Sequence, residues 1–226
     1  MLTLVLAETE LEMMPIELIN HPAVIGHARQ RGKPPAHILL DSNYHHAAMN
    51  NLPEGRRRGR PDILHLFLLT ALESIANKTG KLTIRIHTRN NDLITVNPET
   101  RIMRNYERFL GLIEQLFEKH SIPDDKNPLL SLQQNKSLKQ IIDEMQPDAV
   151  IMFSKTGTQT MLHEYFKKLV QQKKNNIVCI VGGFPSGSFH TDMNTIATDT
   201  ISLYSDMLPA WTVASELLVN YENVSR

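Results

Sequence analysis

Residues 177–187 read IVCIVGGFPSG, a run of five apolar residues followed by a loop with three glycines and a proline. A short apolar run bounded by turn residues is typical of a strand that is buried on both faces of a parallel sheet. The glycine-rich loop follows the carboxyl end of this strand, where open α/β sheets bind their ligands. These residues therefore predict an α/β fold and make the loop after residue 181 a candidate ligand site.

Helical and extended patterns alternate through the C-terminal third of the chain. Helices are predicted at residues 137–145, 158–172 and 209–221, and strands at residues 149–153, 177–181 and 200–204. Strands that alternate with helices in this way predict a parallel sheet whose faces the helices cover. Short apolar runs predict two more strands nearer the N-terminus, at residues 2–6 and 36–41.

The middle of the chain predicts helices and a β-hairpin. Pro61 suits the first position of a helix, and apolar residues then recur at helical spacing from Ile63 to Ile75, all predicted to point inward. Alternating residues flank a turn at Asn90 and Asn91, which predicts a hairpin. The remaining predicted segments are an irregular helical stretch at 15–31, a helix at 44–51 capped by Asp41 or Ser42, hairpin strands at 82–88 and 92–97, a helix at 103–119 and a polar linker at 123–128.

Composition limits the class of protein. The chain has 226 residues, which fits one large domain. Lys and Arg number 24 and Asp and Glu also number 24, so a uniformly basic nucleic-acid coat protein is excluded. The single cysteine, Cys179, lies in an apolar run and is predicted to be a buried, unreactive thiol. No apolar run is long enough for a membrane span and the N-terminus lacks a basic segment, so we expect a soluble intracellular protein.

The glycine-rich loop matches none of the common nucleotide-binding or nucleophile motifs. Its glycines do not follow the G-x-G-x-x-G spacing, and Ser188 and Phe189 stand where a P-loop has its lysine and hydroxyl residue. Ser186 is not in a G-x-S-x-G elbow, because Phe184 stands two positions before it. The loop fits either a ligand-binding turn or a tight exit turn from a strand.

Four arginines crowd the segment before the Pro61 helix. Arg56, Arg57, Arg58 and Arg60 lie within five positions and repel one another unless an anion is close, and phosphate is the natural partner. The other interpretation is a solvated surface loop. Asp62 lies in the first turn of the predicted helix, where a carboxylate can hold Arg60 in one orientation.

A second set of arginines is spaced three and four residues apart. If the predicted helix begins by residue 101, then Arg101, Arg104 and Arg108 share one basic face. This face suits either RNA or a helix surface with salt bridges. Glu107 is expected to point away from the three arginines, so Glu99 is the one acidic residue close enough in sequence to pair with them.

The ten histidines do not have the spacing of a metal site. His45 and His46 are adjacent, so they project in different directions from a helix. We therefore predict that the protein holds no metal.

Several motifs in order resemble the ribosome-biogenesis pseudouridine methyltransferases of the SPOUT class, in particular their archaeal branch. They cover most of the chain and read LDSNYHH (40–46), RGRPDI (58–63), IHT (86–88), VNPETR (96–101), RNYERFLG (104–111), SKTG (154–157), GGFPSG (182–187), ISLY (201–204) and AWTV (210–213).

The resemblance implies a SPOUT-type parallel sheet flanked by helices, with a C-terminal trefoil knot and a family-specific extension of a β-hairpin and a helix. It implies one methyltransferase domain over residues 1–226. Within it, RNA-contacting elements fall at about residues 40–110 and the knotted, cofactor-binding part at about residues 148–226. Knotted chains are rare exceptions to the usual topology rules.

The resemblance also implies roles for individual residues. Arg60 and Asp62 carry over as catalytic residues, with Asp62 favoured as the group that orients Arg60 rather than as a base. Arg60, Arg101, Arg104 and Arg108 carry over as the RNA-binding residues. The residues that carry over to the S-adenosylmethionine site are Gly182, Gly187, Ile201, Ser202, Leu203, Tyr204, Ser205, Asp206 and Leu208.

The implied activity is methyl transfer from S-adenosylmethionine to nitrogen 1 of a pseudouridine in small-subunit ribosomal RNA. The resemblance further implies a cytoplasmic homodimer in which the final helix, with Trp211, lies near the shared face. The alternative is an RNA-binding ribosome-assembly factor without catalysis.

Overall fold

The first strand lies in the middle of the sheet. In the computed structural model, which describes residues 1–225, this strand is β1 (Leu2–Thr9) and it is buried along its whole length. Its even-numbered leucines face the larger of two cores, whereas Val5 and Ala7 face the smaller one, because side chains alternate between the faces of a strand. The strand thus anchors both faces of the sheet.

The sheet has eight strands in the order β4-β5-β3-β2-β1-β7-β6-β8. Five adjacent strands, from β2 to β8, are parallel, and the other three pair antiparallel at one end. The prediction of a parallel sheet is therefore correct for the strands around the glycine-rich loop. The sheet as a whole is mixed, because the strands beyond β2 pair antiparallel. The strands after β1 are β2 (Leu82–Thr88), β3 (Leu93–Val96), β4 (Ser121–Ile122), β5 (Leu130–Gln133), β6 (Ala149–Gln159), β7 (Ile177–Gly182) and β8 (Asp199–Ser202).

Helices cover the two faces of the sheet unequally. The larger core holds residues of α3, α5, α7 and α8, and the smaller core on the other face holds residues of α6. A third apolar cluster joins α1 and α2. The helices are α1 (Pro22–Gln30), α2 (Ser42–Met49), α3 (Pro61–Leu72), α4 (Ile75–Lys78), α5 (Tyr106–Lys119), α6 (Leu138–Met145), α7 (Leu162–Gln171) and α8 (Ala210–Ser225).

Two predictions about the first half of the chain are wrong. Residues 36–41 do not join the sheet: they form one isolated bridge, Met13 to Leu39. Ile38 and Leu40 pack in the cluster that joins α1 and α2, whereas Leu39 belongs to the larger core. Ile75 is not part of the inward stripe of α3. That helix ends at Leu72, and Ser74 caps a separate short helix, which leaves Ile75 52% exposed.

Other differences concern helix starts and short strands. Helix α5 begins at Tyr106 rather than at 103, because Asn105 accepts a hydrogen bond from the Arg108 amide and caps it there. Helix α7 begins at Leu162, since residues 154–159 continue strand β6. The two short strands β4 and β5 flank the polar linker at 123–128 and were not predicted.

A buried histidine pair joins α1 to α2. The Nδ1 of His45 accepts a hydrogen bond from the Asp41 amide, so its Nε2 carries the hydrogen and donates to Nδ1 of His27 at 2.9 Å. Burial lowers the pKa of His45 to about 4, and burial also lowers the pKa of His27. Both rings are therefore neutral in the folded protein at neutral pH.

This pair predicts a loss of stability in mild acid. The unfolded chain takes up a proton on His45 near its ordinary pKa of 6.5, whereas the folded protein resists protonation until about pH 4. The stabilisation is therefore present above pH 6.5 and is lost between pH 6.5 and 4, by on the order of 3 kcal/mol. Urea unfolding across this range measures it. His45→Gln is expected to show a shallower pH dependence, whereas His46→Gln, at an exposed neighbour, keeps the original one; equal slopes in all three proteins contradict the prediction.

Candidate functional site

A cavity of about 1030 Å³ opens at the carboxyl ends of three parallel strands, β6, β7 and β8. Segments that follow or interrupt these strands form its walls. The glycine-rich loop is one of those walls, so its position agrees with the ligand-binding interpretation of the sequence. Eight of the nine predicted cofactor residues line the cavity, namely Gly182, Gly187, Ile201, Ser202, Leu203, Tyr204, Asp206 and Leu208; Ser205 is not among the lining residues.

The glycine-rich loop packs directly on the end of β1. A Cβ atom at Gly183 would lie only 2.6 Å from the Cα of Thr9. Gly187 has a φ of +91°, a conformation that side chains other than glycine rarely adopt. Glycine is therefore required here for the close approach of the backbone and for the turn that follows.

A second wall forms where β6 pairs with β8. Phe153 and Thr158 both pair with Ile201, so residues 154–157 bulge out of the ladder beside the cavity. A Cβ atom at Gly157 would lie 2.6–2.8 Å from three backbone atoms of Ile201. The bulge brings two chain segments closer than any other residue at position 157 allows.

The third wall is the turn between β8 and α8. Ser202 donates a hydrogen bond from its hydroxyl to the carbonyl of Tyr204 at 2.7 Å, which fixes the start of the turn. Leu208 and Trp211 add half-buried apolar surface, while the side chain of Tyr204 is 56% exposed. This wall thus combines backbone hydrogen-bonding groups with an apolar surface.

Arg60 lies at the cavity and is held by Asp62. Its Nε and Nη2 donate to the two carboxylate oxygens of Asp62 at 2.8 and 2.7 Å. This hydrogen-bonded pairing raises the pKa of Arg60, so the guanidinium stays charged. Both side chains keep about a quarter of their surface exposed, 28% and 27%. The predicted pair therefore forms, and it presents a fixed positive charge to the cavity.

Arg57 and Arg58, two neighbours of Arg60, pair with carboxylates of the protein itself. Arg57 pairs with Glu8 and Glu10, and Arg58 forms two hydrogen bonds of 2.7 Å with Glu12. The expectation of a phosphate partner is wrong for these two residues, because buried carboxylates of the N-terminal segment neutralise them. These acids stand at alternate positions, Glu8 at the end of the buried strand β1 and Glu10 and Glu12 just after it, and this spacing is the signal in the sequence that could have identified them.

Arg101, Arg104 and Arg108 do not form the predicted helical stripe. Only Arg108 lies in α5; the other two precede the helix. All three are exposed, and Glu107 does point elsewhere, since it accepts a hydrogen bond from Tyr44 and lies 3.6 Å from Arg31. The three arginines therefore belong to an irregular segment and one helical turn rather than to one helix face.

This irregular segment is fixed beside the start of α3. His65, one turn after Asp62 in that helix, bonds the carbonyl of Met103 through Nε2 at 2.8 Å and stacks on Phe109 at 4.4 Å. Tyr106 donates to the buried carboxylate of Asp41 at 2.6 Å. The chain before and after Arg104 is thus tied to the helix that carries the Arg60 pair.

Several lining residues were not predicted from the sequence. Lys155, His190 and Thr191 face the cavity, as does Trp211. Lys155 and Trp211 lie in the motifs SKTG and AWTV, but neither was assigned to the cofactor site. His190 and Thr191 follow the glycine-rich loop in a stretch without a recognisable motif, and only the topology brings these stretches together.

Two further features concern metals and membranes. Within residues 1–225, no cluster of three or more His, Cys, Asp or Glu side chains is arranged to hold a metal ion. In the same described part of the chain, none of the helices combines the length and apolar character that crossing a bilayer requires.

Known proteins resemble this chain over nearly its full length. The family model described as EMG1/NEP1 methyltransferase matches residues 4–222. "Ribosomal RNA small subunit methyltransferase Nep1" of Methanothrix thermoacetophila is 49% identical, covering 99% of this chain and 96% of that protein. The protein of the same name from Pyrococcus furiosus is 47% identical over 98% of this chain and 96% of its own length.

A solved structure shows the same fold. The crystal structure of Archaeoglobus fulgidus Nep1 bound to S-adenosylhomocysteine superimposes with a TM-score of 0.86 at 33% identity, and the match covers 99% of this chain and 98% of the other. The fold prediction is therefore confirmed at the level of the SPOUT sheet and its helices. By its sequence and its structure, the chain belongs to the EMG1/NEP1 methyltransferase family.

Proposed function

We propose that the protein transfers a methyl group from S-adenosylmethionine to nitrogen 1 of a pseudouridine in small-subunit ribosomal RNA. The observation that carries this proposal is the fixed guanidinium of Arg60 at a glycine-lined cavity. The names of the relatives, which are small-subunit rRNA methyltransferases, and the S-adenosylhomocysteine of the structural neighbour support it.

The cavity fits the proposed methyl donor. Its volume of about 1030 Å³ is at the upper end of the range for small-molecule sites. Gly182 and Gly187 leave the backbone accessible to a ligand, and Leu208 offers apolar surface for an adenine ring. The end of β8 and the turn after it supply the remaining contacts, from Ile201, Ser202, Leu203, Tyr204 and Asp206, whereas Ser205 lies in the same turn outside the cavity lining.

The chain contributes position and charge to the reaction. The donor supplies an electrophilic methyl group on a sulfonium, and nitrogen 1 must approach it in line, so the protein's main task is to hold the two together. Nitrogen 1 loses its proton as the bond forms, and the Arg60 guanidinium stabilises the negative charge that develops on the ring. Both oxygens of Asp62 are engaged by Arg60, which favours Asp62 as the group that orients Arg60 over a role as the base.

The alternative is a ribosome-assembly factor that binds rRNA without methylating it. Calorimetry with S-adenosylhomocysteine separates the two functions. Saturable binding is expected of the methyltransferase, and the absence of heat at millimolar ligand favours the assembly factor.

The exposed arginines Arg101, Arg104 and Arg108 are proposed to bind RNA phosphates together with Arg60. Arg104→Ala is expected to weaken RNA binding and to reduce its salt dependence by about one charge, because one counterion fewer is released. Lys139→Ala is a matched control: it also removes one exposed charge, but from α6 on the other face of the sheet. Filter binding over a salt series tests this. An unchanged slope for Arg104→Ala removes this residue from the RNA-binding face.

The proposal extends to the assembly and the chain path. We propose a cytoplasmic homodimer whose shared face lies near α8, where Tyr204 and Met207 are exposed. The chain forms one domain over residues 1–226, with RNA contacts at about 40–110, cofactor contacts at about 148–226 and a trefoil knot in the latter part. Light scattering of the purified protein measures the dimer.

A further inference from the structure

Arg57 is a buried arginine that the proposed chemistry does not use. It lies three residues before Arg60 in the segment between α2 and α3, yet it is only 6% exposed. A buried guanidinium requires several partners to offset the loss of its hydration. The identity of those partners shows what Arg57 holds together.

The guanidinium of Arg57 joins β1 to the glycine-rich loop. Its Nε donates to Glu10 at 2.6 Å and its Nη2 donates to Glu8 at 2.9 Å. Its Nη1 donates to the carbonyl of Ser188, and its planar head lies 3.9 Å from the centre of the Phe184 ring. Ser188 and Phe184 both line the cavity. Two of the four partners therefore belong to the cofactor wall, that is, the glycine-rich loop and its continuation to residue 191.

Glu8 extends the connection to the end of the same loop. Its carboxylate accepts hydrogen bonds from the amides of His190 at 2.9 Å and Thr191 at 2.8 Å. Glu8 itself has a φ of +49°, which is unfavourable for a residue with a side chain. The Arg57–Glu8 pair therefore holds the loop at both ends, against Phe184 and Ser188 and against His190 and Thr191.

The backbone of Glu10 connects this loop to Arg60. The amide of Glu10 donates to the carbonyl of Gly183 at 3.0 Å, and its carbonyl accepts from the amide of Arg60 at 2.8 Å. The backbone of a single residue, Glu10, thus links Gly183 of the glycine-rich loop to Arg60. Arg57 bonds the side chain of that same glutamate.

We propose that Arg57 is a positioning residue that fixes the glycine-rich loop relative to the segment carrying Arg60, so that the methyl donor and the target base meet at the required distance. The inference rests on the proposed function. A displacement of about 1 Å at a reacting pair can cost 100-fold in rate, so a residue away from the chemistry can control it. Its loss acts mainly on turnover, because neither the donor nor the base needs to contact Arg57.

The test compares Arg57→Gln and Arg57→Lys with Arg58→Gln. Arg58 is a matched control because it lies in the same segment, is similarly shielded with 13% of its side chain exposed, and pairs with one carboxylate, Glu12. Its guanidinium donates to Glu12 and to the carbonyl of Pro53, neither of which belongs to the cofactor wall. Both glutamine variants remove a buried ion pair, but only one of them releases the loop.

Three readouts separate positioning from stability: the melting temperature, the kinetic constants and amide hydrogen exchange. At temperatures where all variants are folded, Arg57→Gln is expected to lower kcat by about tenfold to 100-fold, with a change in KM for RNA of less than about threefold. The amides of His190 and Thr191 are expected to exchange at least about tenfold faster. Arg57→Lys keeps the positive charge but cannot reproduce the three hydrogen bonds to Glu8, Glu10 and Ser188, so we expect its kcat to remain reduced. Arg58→Gln keeps kcat and the exchange rates of these two amides.

Two results overturn the inference: an unchanged kcat in Arg57→Gln, or equal losses of kcat in Arg57→Gln and Arg58→Gln at equal loss of melting temperature. If Arg57→Gln does not fold, Glu8→Gln replaces it in the test. This variant keeps the shape of the side chain and one acceptor oxygen, but it loses the negative charge that pairs with Arg57. Unchanged turnover and unchanged amide exchange in Glu8→Gln also overturn the inference. The exchange readout needs no turnover. Absence of methyl transfer in the unaltered protein therefore counts against the proposed function, whereas unaltered exchange at 190 and 191 counts against the role of Arg57.

Discussion

Replacement of Arg60 by alanine is expected to lower kcat for methyl transfer by about 100- to 1,000-fold, the range seen when one preorganised donor to a developing negative charge is removed. Arg60 is the guanidinium that lines the cavity, and the two hydrogen bonds that it donates to Asp62 fix its orientation. Because it stabilises charge that exists mainly in the transition state, its removal acts on kcat more than on KM.

The kinetic pattern distinguishes Arg60 from the exposed arginines. Single-turnover methylation at saturating RNA measures the chemical step directly. Arg104→Ala raises KM for RNA and leaves this step intact, whereas Arg60→Ala slows it. Asp62→Asn keeps one acceptor for Arg60 but loses the paired geometry, so we expect a smaller loss, of about tenfold. A normal rate for Arg60→Ala at saturating RNA contradicts the role of Arg60 in the chemistry.

Replacement of Gly157 by alanine is expected to weaken S-adenosylhomocysteine binding by about 100-fold, or about 3 kcal/mol. The added methyl group would lie 2.6–2.8 Å from backbone atoms of Ile201. Backbone cannot move aside as a flexible side chain can, so the β6 bulge and β8 must separate. Both segments line the cavity, and the separation changes the shape of the pocket itself.

Gly26→Ala is the control for this substitution. Gly26 lies within α1 with no neighbouring atom within 4 Å of an added Cβ, so alanine fits and is expected to stabilise the helix by about 0.5–1 kcal/mol. Calorimetry on both variants gives the comparison. Equal affinity of Gly157→Ala and the unaltered protein shows that the close contact between the β6 bulge and β8 does not shape the pocket.

Much of the fold could be predicted because its strands carry strong local patterns. The run Ile177–Gly182 is apolar on both faces, which is typical of a strand in the interior of a parallel sheet. The apolar run 36–41 gave a wrong prediction because Ile38 and Leu40 are buried in the α1–α2 cluster, and burial among helices can leave the same apolar pattern as burial in a sheet. Strands β4 and β5 span two and four residues, too few to establish a period.

The site was only partly predictable because its parts are distant in sequence. The Arg60–Asp62 pair is local, two positions apart, and the prediction was correct. The partners of Arg57 and Arg58 lie about 45 to 50 positions away in β1 and the segment after it, so an apparent phosphate-binding cluster proved to be a set of buried ion pairs. The helix carrying Arg108 begins later than its apolar spacing suggests, because Asn105 caps it. A side-chain cap sets the start of α5, and long-range ion pairs set the partners of Arg57 and Arg58; neither can be predicted from the periodicity of apolar residues.

The most direct test of the proposed reaction uses two synthetic fragments of small-subunit rRNA that differ only in having pseudouridine or uridine at one position. Each is incubated with the protein and S-adenosylmethionine labelled in its methyl group, digested to nucleosides and analysed by mass spectrometry. The proposed function predicts labelled N1-methylpseudouridine from the first fragment and no label from the second. Label on both fragments, or none on either while the protein binds both RNA and S-adenosylhomocysteine, contradicts it.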